Sequence, residues 1–227
     1  MATEEPTGEL LIRRMNVATD GARGVIRKHQ HHAGQAFAIR RIDLGKIVLP
    51  TGRIGVNDAY SPDEYPPLNR LVPPGEYPVE LVVAEIPKDL PFGNDRAAFL
   101  VVTFSRDVAA TWEPVTATAA ARPCFEDKRP NAFVQEGATG IFSPEAAAVH
   151  FAHLRQQFDE QLKELRKQAK QFGTHDWLNY KPGKGSENVI TCEGGFGDGT
   201  YYCFVGLNAA GRVARLVVDF DVADAAA

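Results

Sequence analysis

Four glycines crowd into one short segment near the C-terminal end of the chain, Cys192-Glu-Gly-Gly-Phe-Gly-Asp-Gly-Thr-Tyr-Tyr202. Glycine at this density is typical of a backbone that needs positive φ angles or a close approach to other groups. The flanking runs, residues 188–192 and 200–207, are rich in apolar and β-forming residues, so each is predicted to be a strand. The segment therefore predicts a β-hairpin whose turn holds Asp198 between two glycines.

The composition is that of a globular protein. Of the 227 residues, 44% are hydrophobic and 24% are charged, which is usual for soluble domains. The net charge of −4 lacks the basic excess of nucleic-acid-binding domains, so we expect no nucleic-acid partner. No stretch reaches the ~20 apolar residues of a membrane span and the first residues lack a signal-peptide pattern, so we expect no membrane association.

The cysteines indicate the compartment. Cys124, Cys192 and Cys203 are odd in number and follow neither a disulfide framework nor a zinc-binding spacing. Such usage favours a reducing environment, and we therefore expect a cytoplasmic protein. The sequence leaves the oligomeric state open.

Short apolar runs separated by proline and glycine turns dominate the chain. Residues 76–86 predict a strand with an apolar face, and residues 96–105 are almost continuously apolar, as in a strand covered on both faces. Many strands with helix concentrated in one place favour a β-rich α+β fold with mostly antiparallel sheets over alternating βαβ units. We expect a single domain over residues 1–227, with residues 1–8 and 223–227 frayed.

One long amphipathic helix is predicted near residues 144–172. Ser143 suits the N-cap and Pro144 the first helical position, and Gly173 suits the residue that ends a helix. Apolar residues recur at steps of three and four: Phe151, Leu154, Phe158, Leu162, Leu165, Ala169 and Phe172. This stripe is expected to dock on the sheet. The opposite, charged face is either solvated or a docking surface for a partner.

Motifs of known chemistry are incomplete. Asp198 is either a carboxylate presented to a ligand or a turn residue bonded to its own backbone. His29, His31 and His32 cluster, and His150 and His153 share a helix face, but neither set has the spacing of a zinc site. There is no nucleophile elbow, and residues 182–186 lack the phosphate-loop pattern. We expect no metal and no cofactor, and the sequence leaves open whether the protein is an enzyme.

Two blocks of residues resemble the bacterial domain of unknown function numbered 4241. The first is Gly-Arg-Ile at residues 52–54 with Asp58, followed by Val-Pro-Pro-Gly-Glu-Tyr-Pro-Val at residues 72–79. The second is Gly-Phe-Gly-Asp-Gly-Thr-Tyr at residues 195–201, followed by Asp-Phe at residues 219–220. The resemblance spans about residues 46–221 and places Trp112 and Trp177 where the family often has tryptophan.

The resemblance implies a binding role and no specific chemistry, because the family has no established activity. Similar proteins occur among candidate immunity proteins of bacterial toxin systems. The family-patterned positions are the candidates for contact with a ligand or partner: Asp58, Tyr77, Trp177, Gly197, Asp198 and Gly199.

Two functions are compatible with these residues. The first is a cytoplasmic, protein-binding module of the immunity type, whose partner is a cognate toxin-like protein. The second is a hydrolase or other enzyme that uses Asp58 and Asp198 as paired carboxylates with separated acid and base roles. Geometry distinguishes them, because carboxylates within about 10 Å of each other in a concave pocket favour the enzyme.

Overall fold

The computed structural model describes residues 8–27, 33–61, 67–89, 93–116, 132–173 and 175–225. These ranges contain the helices α1 (Gly8–Thr19), α2 (Pro144–Gln156) and α3 (Phe158–Gln168). None of these described helices has the length and apolar character needed to span a bilayer. The strands pair antiparallel throughout the described residues, which confirms the predicted β-rich α+β class.

Within the described ranges the strands form two sheets. The larger sheet has nine strands: β1 (Arg23–Ile26), β2 (Ala36–Leu49), β4 (Gly75–Glu85), β5 (Arg96–Thr103), β6 (Thr111–Pro114), β7 (Ala132–Gln135), β12 (Gly199–Leu207), β13 (Val213–Asp219) and β14 (Ala223–Asp224). Their order is β14-β1-β2-β4-β5-β13-β12-β6, with β7 also paired to β12.

The smaller sheet has five strands: β3 (Gly55–Asp58), β8 (Thr139–Phe142), β9 (Lys170–Phe172), β10 (His175–Tyr180) and β11 (Val189–Cys192). Their order is β3-β8-β11-β10-β9. Asn188 joins the two sheets, because its side chain accepts the N–H of Val48 and donates to the carbonyl of Lys46, each at 2.8 Å.

The core lies between the sheets, which both contribute to one cluster of buried apolar side chains. Residues 97–102 of β5 are all buried, which confirms a strand covered on both faces. Helix α1 packs against β5, β6 and β14 on the larger sheet, and α2 packs against β8 and β11 on the smaller one. The molecule is therefore layered, with helices outside two facing sheets.

The glycine-rich segment is not a hairpin turn, so that prediction is wrong. Its flanks are strands as expected, but β11 pairs with β8 and β10, whereas β12 pairs with β13, β6 and β7. Residues 193–198 therefore carry the chain from one sheet to the other, with positive φ at Gly195 and Gly197. Apolar periodicity identifies a strand but not the sheet in which it pairs.

The segment predicted as one helix is also different in the structure. Helix α2 ends at Gln156, Gln157 breaks the helix with φ −148° and ψ 64°, and α3 runs only to Gln168. Residues 170–172 then form the edge strand β9. The side chain of Ser143 caps α2, as expected, by accepting the N–H of Ala146 at 3.1 Å. A single break leaves the apolar spacing almost unchanged, so periodicity did not reveal it.

A buried ion pair holds α1 to the larger sheet. Arg14 is 1% exposed and donates to Asp219 Oδ1 at 2.8 Å and to Asp221 Oδ1 at 3.0 Å. Nearby, β14 pairs with β1, so residues 223 and 224, which we predicted to fray, form an edge strand. Residues 1–7 and 226–227 lie outside the described residues, as do His29, His31, His32 and Cys124.

Candidate functional site

A cavity of about 210 Å³ lies between α3 and the five-stranded sheet. Asp176 and Leu178 of β10, Thr191 of β11 and the following Glu193 line it from the sheet. Trp177 also contributes, but it belongs to the core cluster together with Cys192, its partner across the ladder. Successive strand residues point to opposite faces, so Asp176, Leu178 and Thr191 face away from the other sheet and toward α3.

Helix α3 covers the cavity with few buried contacts. Of its residues only Leu165 is fully buried, while Leu162 is half-buried and Phe158 is 43% exposed. Helix α2 instead buries Phe151 and Leu154 against the sheet. The predicted apolar stripe is therefore fully packed against the sheet only along α2. Along α3 the apolar side chains cover the cavity from the side opposite the sheet.

Asp58 builds one wall of the cavity but does not line it. Its Oδ1 accepts the backbone N–H of Tyr60 at 2.7 Å and of Ser61 at 2.9 Å, and its Oδ2 accepts that of Glu136 at 2.5 Å. Tyr60 and Glu136 both line the cavity. The buried Asp58 carboxylate therefore positions two lining residues, and both of its oxygens are already engaged.

His150 attaches α2 to the same wall. Its Nε2 donates to the carbonyl of Ala59 at 2.6 Å, and its Nδ1 accepts from the hydroxyl of Tyr180. Burial lowers the pKa of His150 to about 4, so the ring is neutral at pH 7. Both ring nitrogens are occupied, which removes His150 from a metal-ligand role with His153. The described residues contain no group of three or more His, Cys, Asp or Glu side chains placed to hold a metal ion.

The polar side chains around the cavity do not bond to one another. Thr191 is 3% exposed, yet its hydroxyl has no hydrogen-bond partner among the described residues. The same holds for the hydroxyl of Tyr60, the carboxylates of Glu136 and Asp176, and the guanidinium of Arg166. Glu136 and Arg166 are exposed and Tyr60 and Asp176 are half-buried, so solvent can reach these groups. Thr191 is the buried member of the set, and buried polar groups are normally hydrogen-bonded, so its hydroxyl is left to bond with water or a ligand in the cavity.

Negative charge predominates at the cavity. Glu136, Asp176 and Glu193 are opposed by Arg166 alone among the described lining residues. Burial raises the pKa of Tyr60 above its ordinary value, and the negative charges of Glu193, Asp58 and Asp176 raise it further, against the influence of Arg166. The phenol therefore stays protonated at neutral pH and can both donate and accept a hydrogen bond.

Among the described residues, Glu193 is the one carboxylate of the lining that accepts hydrogen bonds from other parts of the chain. Its Oε2 accepts from His175 Nδ1 at 3.1 Å and from the N–H of Asp176 at 3.3 Å. The other ring nitrogen of His175 contacts the guanidinium of Arg96, which also lies 5.6 Å from the ring centre of Phe196. This chain of contacts connects the sheet-to-sheet crossing with the edge of the cavity.

The glycine-rich crossing itself does not line the cavity. Asp198 is exposed and makes no hydrogen bond within the described part of the chain. Gly197 has φ 115°, and its carbonyl accepts from Gln135 Nε2 at 3.3 Å and from the hydroxyl of Tyr201 at 2.5 Å. Gly199 starts β12 opposite Gln135. These contacts fix the shape of the crossing and leave the Asp198 carboxylate in solvent.

Tyr77 also lies away from the cavity lining. It is in β4, opposite Ile47, and its hydroxyl donates to the carbonyl of Pro73. Its ring packs edge-on against Phe104 with the centroids 5.0 Å apart. The Pro-Pro-Gly-x-Tyr block is therefore a closed turn at the start of a strand.

Of the six predicted site residues, the structure places only Trp177 in the lining. Sequence reasoning missed Tyr60, Asp176 and Thr191, although the first two are within two residues of a predicted position. Strand alternation is the signal that could have identified Asp176, because the neighbours of a core tryptophan face the other side of the sheet.

A family model described as "Protein of unknown function (DUF4241)" matches residues 47–218. The matched range includes every residue that lines the cavity. Comparisons with curated proteins and with solved structures give no match.

Proposed function

The chain belongs to the DUF4241 family of proteins of unknown function, and we propose that it is a cytoplasmic, protein-binding module of the immunity type. Its partner is a cognate toxin-like protein, which it engages through α3 and the cavity beneath that helix.

One observation carries the proposal: an incompletely packed helix lies over polar side chains that have no partners among the described residues. Phe158 lines the cavity and is 43% exposed, and exposed aromatic residues are enriched as anchors in protein interfaces. The side-chain polar groups of Thr191, Tyr60 and Asp176 are unbonded within the described residues. Binding of a partner would bury the ring and supply bonds to these groups.

The size of the cavity also supports a binding role. A volume of about 210 Å³ is below the roughly 300–1,000 Å³ of pockets that enclose drug-sized ligands or cofactors. A space of this size suits one side chain that projects from a protein surface. The buried thiols of Cys192 and Cys203, which lie in different sheets, are compatible with a reducing compartment.

The alternative, an enzyme with Asp58 and Asp198 as paired carboxylates, has less support. A general acid or base needs an oxygen that reaches the substrate, whereas both Asp58 oxygens accept backbone N–H groups. Asp198 is exposed, and neither carboxylate lines the cavity.

The experiment is co-expression with the protein encoded by the neighbouring reading frame, followed by purification of the complex. We expect the wild-type chain to bind that protein and Phe158→Arg to lose it. Leu10→Arg is the matched control, because Leu10 is an exposed apolar residue of α1, at 53% exposure. Equal binding by wild type and Phe158→Arg, or loss in both variants, would contradict the assignment of the interface to α3.

A further inference from the structure

We propose that the cavity under α3 takes a cationic group on an aliphatic chain, and that the group is the ammonium or guanidinium of a Lys or Arg side chain of the partner protein. The chemistry of the ligand follows from the cavity alone. Its source rests on the proposed protein-binding function.

The charges around the cavity are arranged for a cation that the described residues do not supply. Asp176 and Glu136 have no ion-pair partner among those residues. Arg166 lines the same cavity, but its guanidinium forms no ion pair within the described ranges and leaves both carboxylates unneutralised. A cation that enters the cavity can form charge-assisted hydrogen bonds to these carboxylates, and such bonds are stronger than neutral ones.

The hydroxyl of a largely buried residue, open to the cavity, is independent evidence of a ligand. Thr191 is 3% exposed, lines the cavity from β11 and has no hydrogen-bond partner in the described part of the chain. The hydroxyl of Tyr60 is likewise unbonded on the adjoining wall. Hydroxyl oxygens accept hydrogen bonds, so each of them is able to receive an N–H group from an ammonium or guanidinium.

The apolar residues of α3 that cover the cavity suit the aliphatic part of a Lys or Arg side chain. Phe158, Leu162 and Leu165 line the cavity from α3, opposite the carboxylates of the sheet. Lys and Arg side chains bury their methylene stems on apolar surface and keep the charged end among polar groups. One side of the cavity therefore suits the stem, and the other suits the charge.

The fold already contains an arginine held in a comparable way. The guanidinium of Arg14 is buried and bonds to Asp219 and Asp221 at 2.8 and 3.0 Å. In that site the chain provides both the cation and the carboxylates. Under α3, the described residues provide the carboxylates and hydroxyls with no cation bonded between them.

The test uses small probes on the full-length protein and follows the amide signals of Thr191 and Asp176 by NMR. The probes are n-butylguanidinium, the neutral n-butylurea of nearly the same shape, and the anion butyrate. We expect n-butylguanidinium to shift both signals and to bind at least about tenfold more tightly than either other probe, as one lost charge-assisted bond implies.

Two variants locate the binding. Asp176→Asn should weaken n-butylguanidinium about tenfold, while Asp198→Asn, which removes an exposed carboxylate outside the lining, should leave binding unchanged. Thr191→Val is a second cavity variant in case Asp176→Asn does not fold. Equal binding of the urea or butyrate, absence of shifts with n-butylguanidinium, or dependence on Asp198 would overturn the proposal.

The probe result and the partner result are separable. The NMR titration requires no partner protein. It therefore tests whether the cavity binds a cation even if the neighbouring protein does not bind. If the partner binds and Asp176→Asn leaves its affinity unchanged, the partner's basic side chain is excluded as the source, and the protein-binding function survives.

Discussion

His150 donates a hydrogen bond from Nε2 to the carbonyl oxygen of Ala59 at 2.6 Å. Ala59 lies between Asp58, whose carboxylate fixes two backbone N–H groups of the cavity wall, and Tyr60, which lines the cavity. Helix α2 is therefore tied directly to the wall, and the position of that wall depends on a histidine that remains neutral.

The contribution of His150 to stability should fall as the pH falls from 6.5 toward 4. Burial lowers the pKa of His150 from 6.5 to about 4, so the unfolded chain takes up a proton first and unfolding is favoured in that window. The expected cost from His150 alone is about 3 kcal/mol at pH 4. It is measured as the difference in urea unfolding between wild type and His150→Gln across this pH range.

His150→Gln isolates this effect, because glutamine can still donate to Ala59 but does not titrate. Asp219 has the opposite dependence, since burial raises its pKa from 3.8 to about 6 and stability is therefore lost as the pH rises through that range. The difference between wild type and His150→Gln cancels the Asp219 contribution. A difference that does not vary with pH would show that His150 titrates normally.

Arg14→Met should destabilise the protein by about 3–5 kcal/mol at pH 7, because it leaves Asp219 as a buried charge without its cation. The loss should be smaller at pH 5, where protonation removes the charge of Asp219. Chemical denaturation at the two pH values measures both. A loss that is larger at pH 5 than at pH 7 is the contrary result.

Two leucines of α3 should respond differently to truncation. Leu165 is fully buried, so Leu165→Ala should cost about 2–5 kcal/mol. Leu162 is half-buried and lines the cavity, so Leu162→Ala should cost about 1 kcal/mol or less. Urea unfolding of the pair checks whether α3 is a loosely packed roof, and equal large losses would mean that the whole stripe is docked.

Alanine should be tolerated at Gly199, the first residue of β12, but not at Gly197 in the crossing between the sheets. Gly197 has φ 115°, and a Cβ at this position would meet nothing within 4 Å, so Gly197→Ala should cost more than about 1 kcal/mol through backbone strain alone. At Gly199 the new Cβ would lie 3.7 Å from the Tyr201 ring, an ordinary contact, and stability should change by less than about 0.5 kcal/mol. Thermal unfolding compares the two variants.

The sequence predicted local structure well where a residue type has one dominant conformational or packing preference. The Ser143 cap, the doubly covered strand at residues 96–105 and a positive φ within the Gly-Asp-Gly turn all follow from short-range rules. These features depend on neighbours along the chain.

The sequence did not reveal which strands share a sheet or where packing is incomplete. The strands on either side of Gly194 belong to different sheets, and only long-range pairing determines that. Gln157 breaks a helix whose apolar spacing continues across it. Family-patterned residues such as Asp58 and Tyr77 proved to shape the backbone.

The most direct test of the binding site compares two buried threonines on neighbouring strands of the five-stranded sheet. Thr139 donates to Gln135 Oε1 at 2.7 Å, so Thr139→Val should cost about 1–3 kcal/mol by leaving a buried acceptor unsatisfied. The Thr191 hydroxyl faces the cavity without a partner among the described residues. Thr191→Val should therefore change the free energy of unfolding by less than about 0.5 kcal/mol and weaken binding of n-butylguanidinium. A stability loss above about 1 kcal/mol with unchanged binding would contradict the account, because Thr191 would then serve the fold and not a ligand.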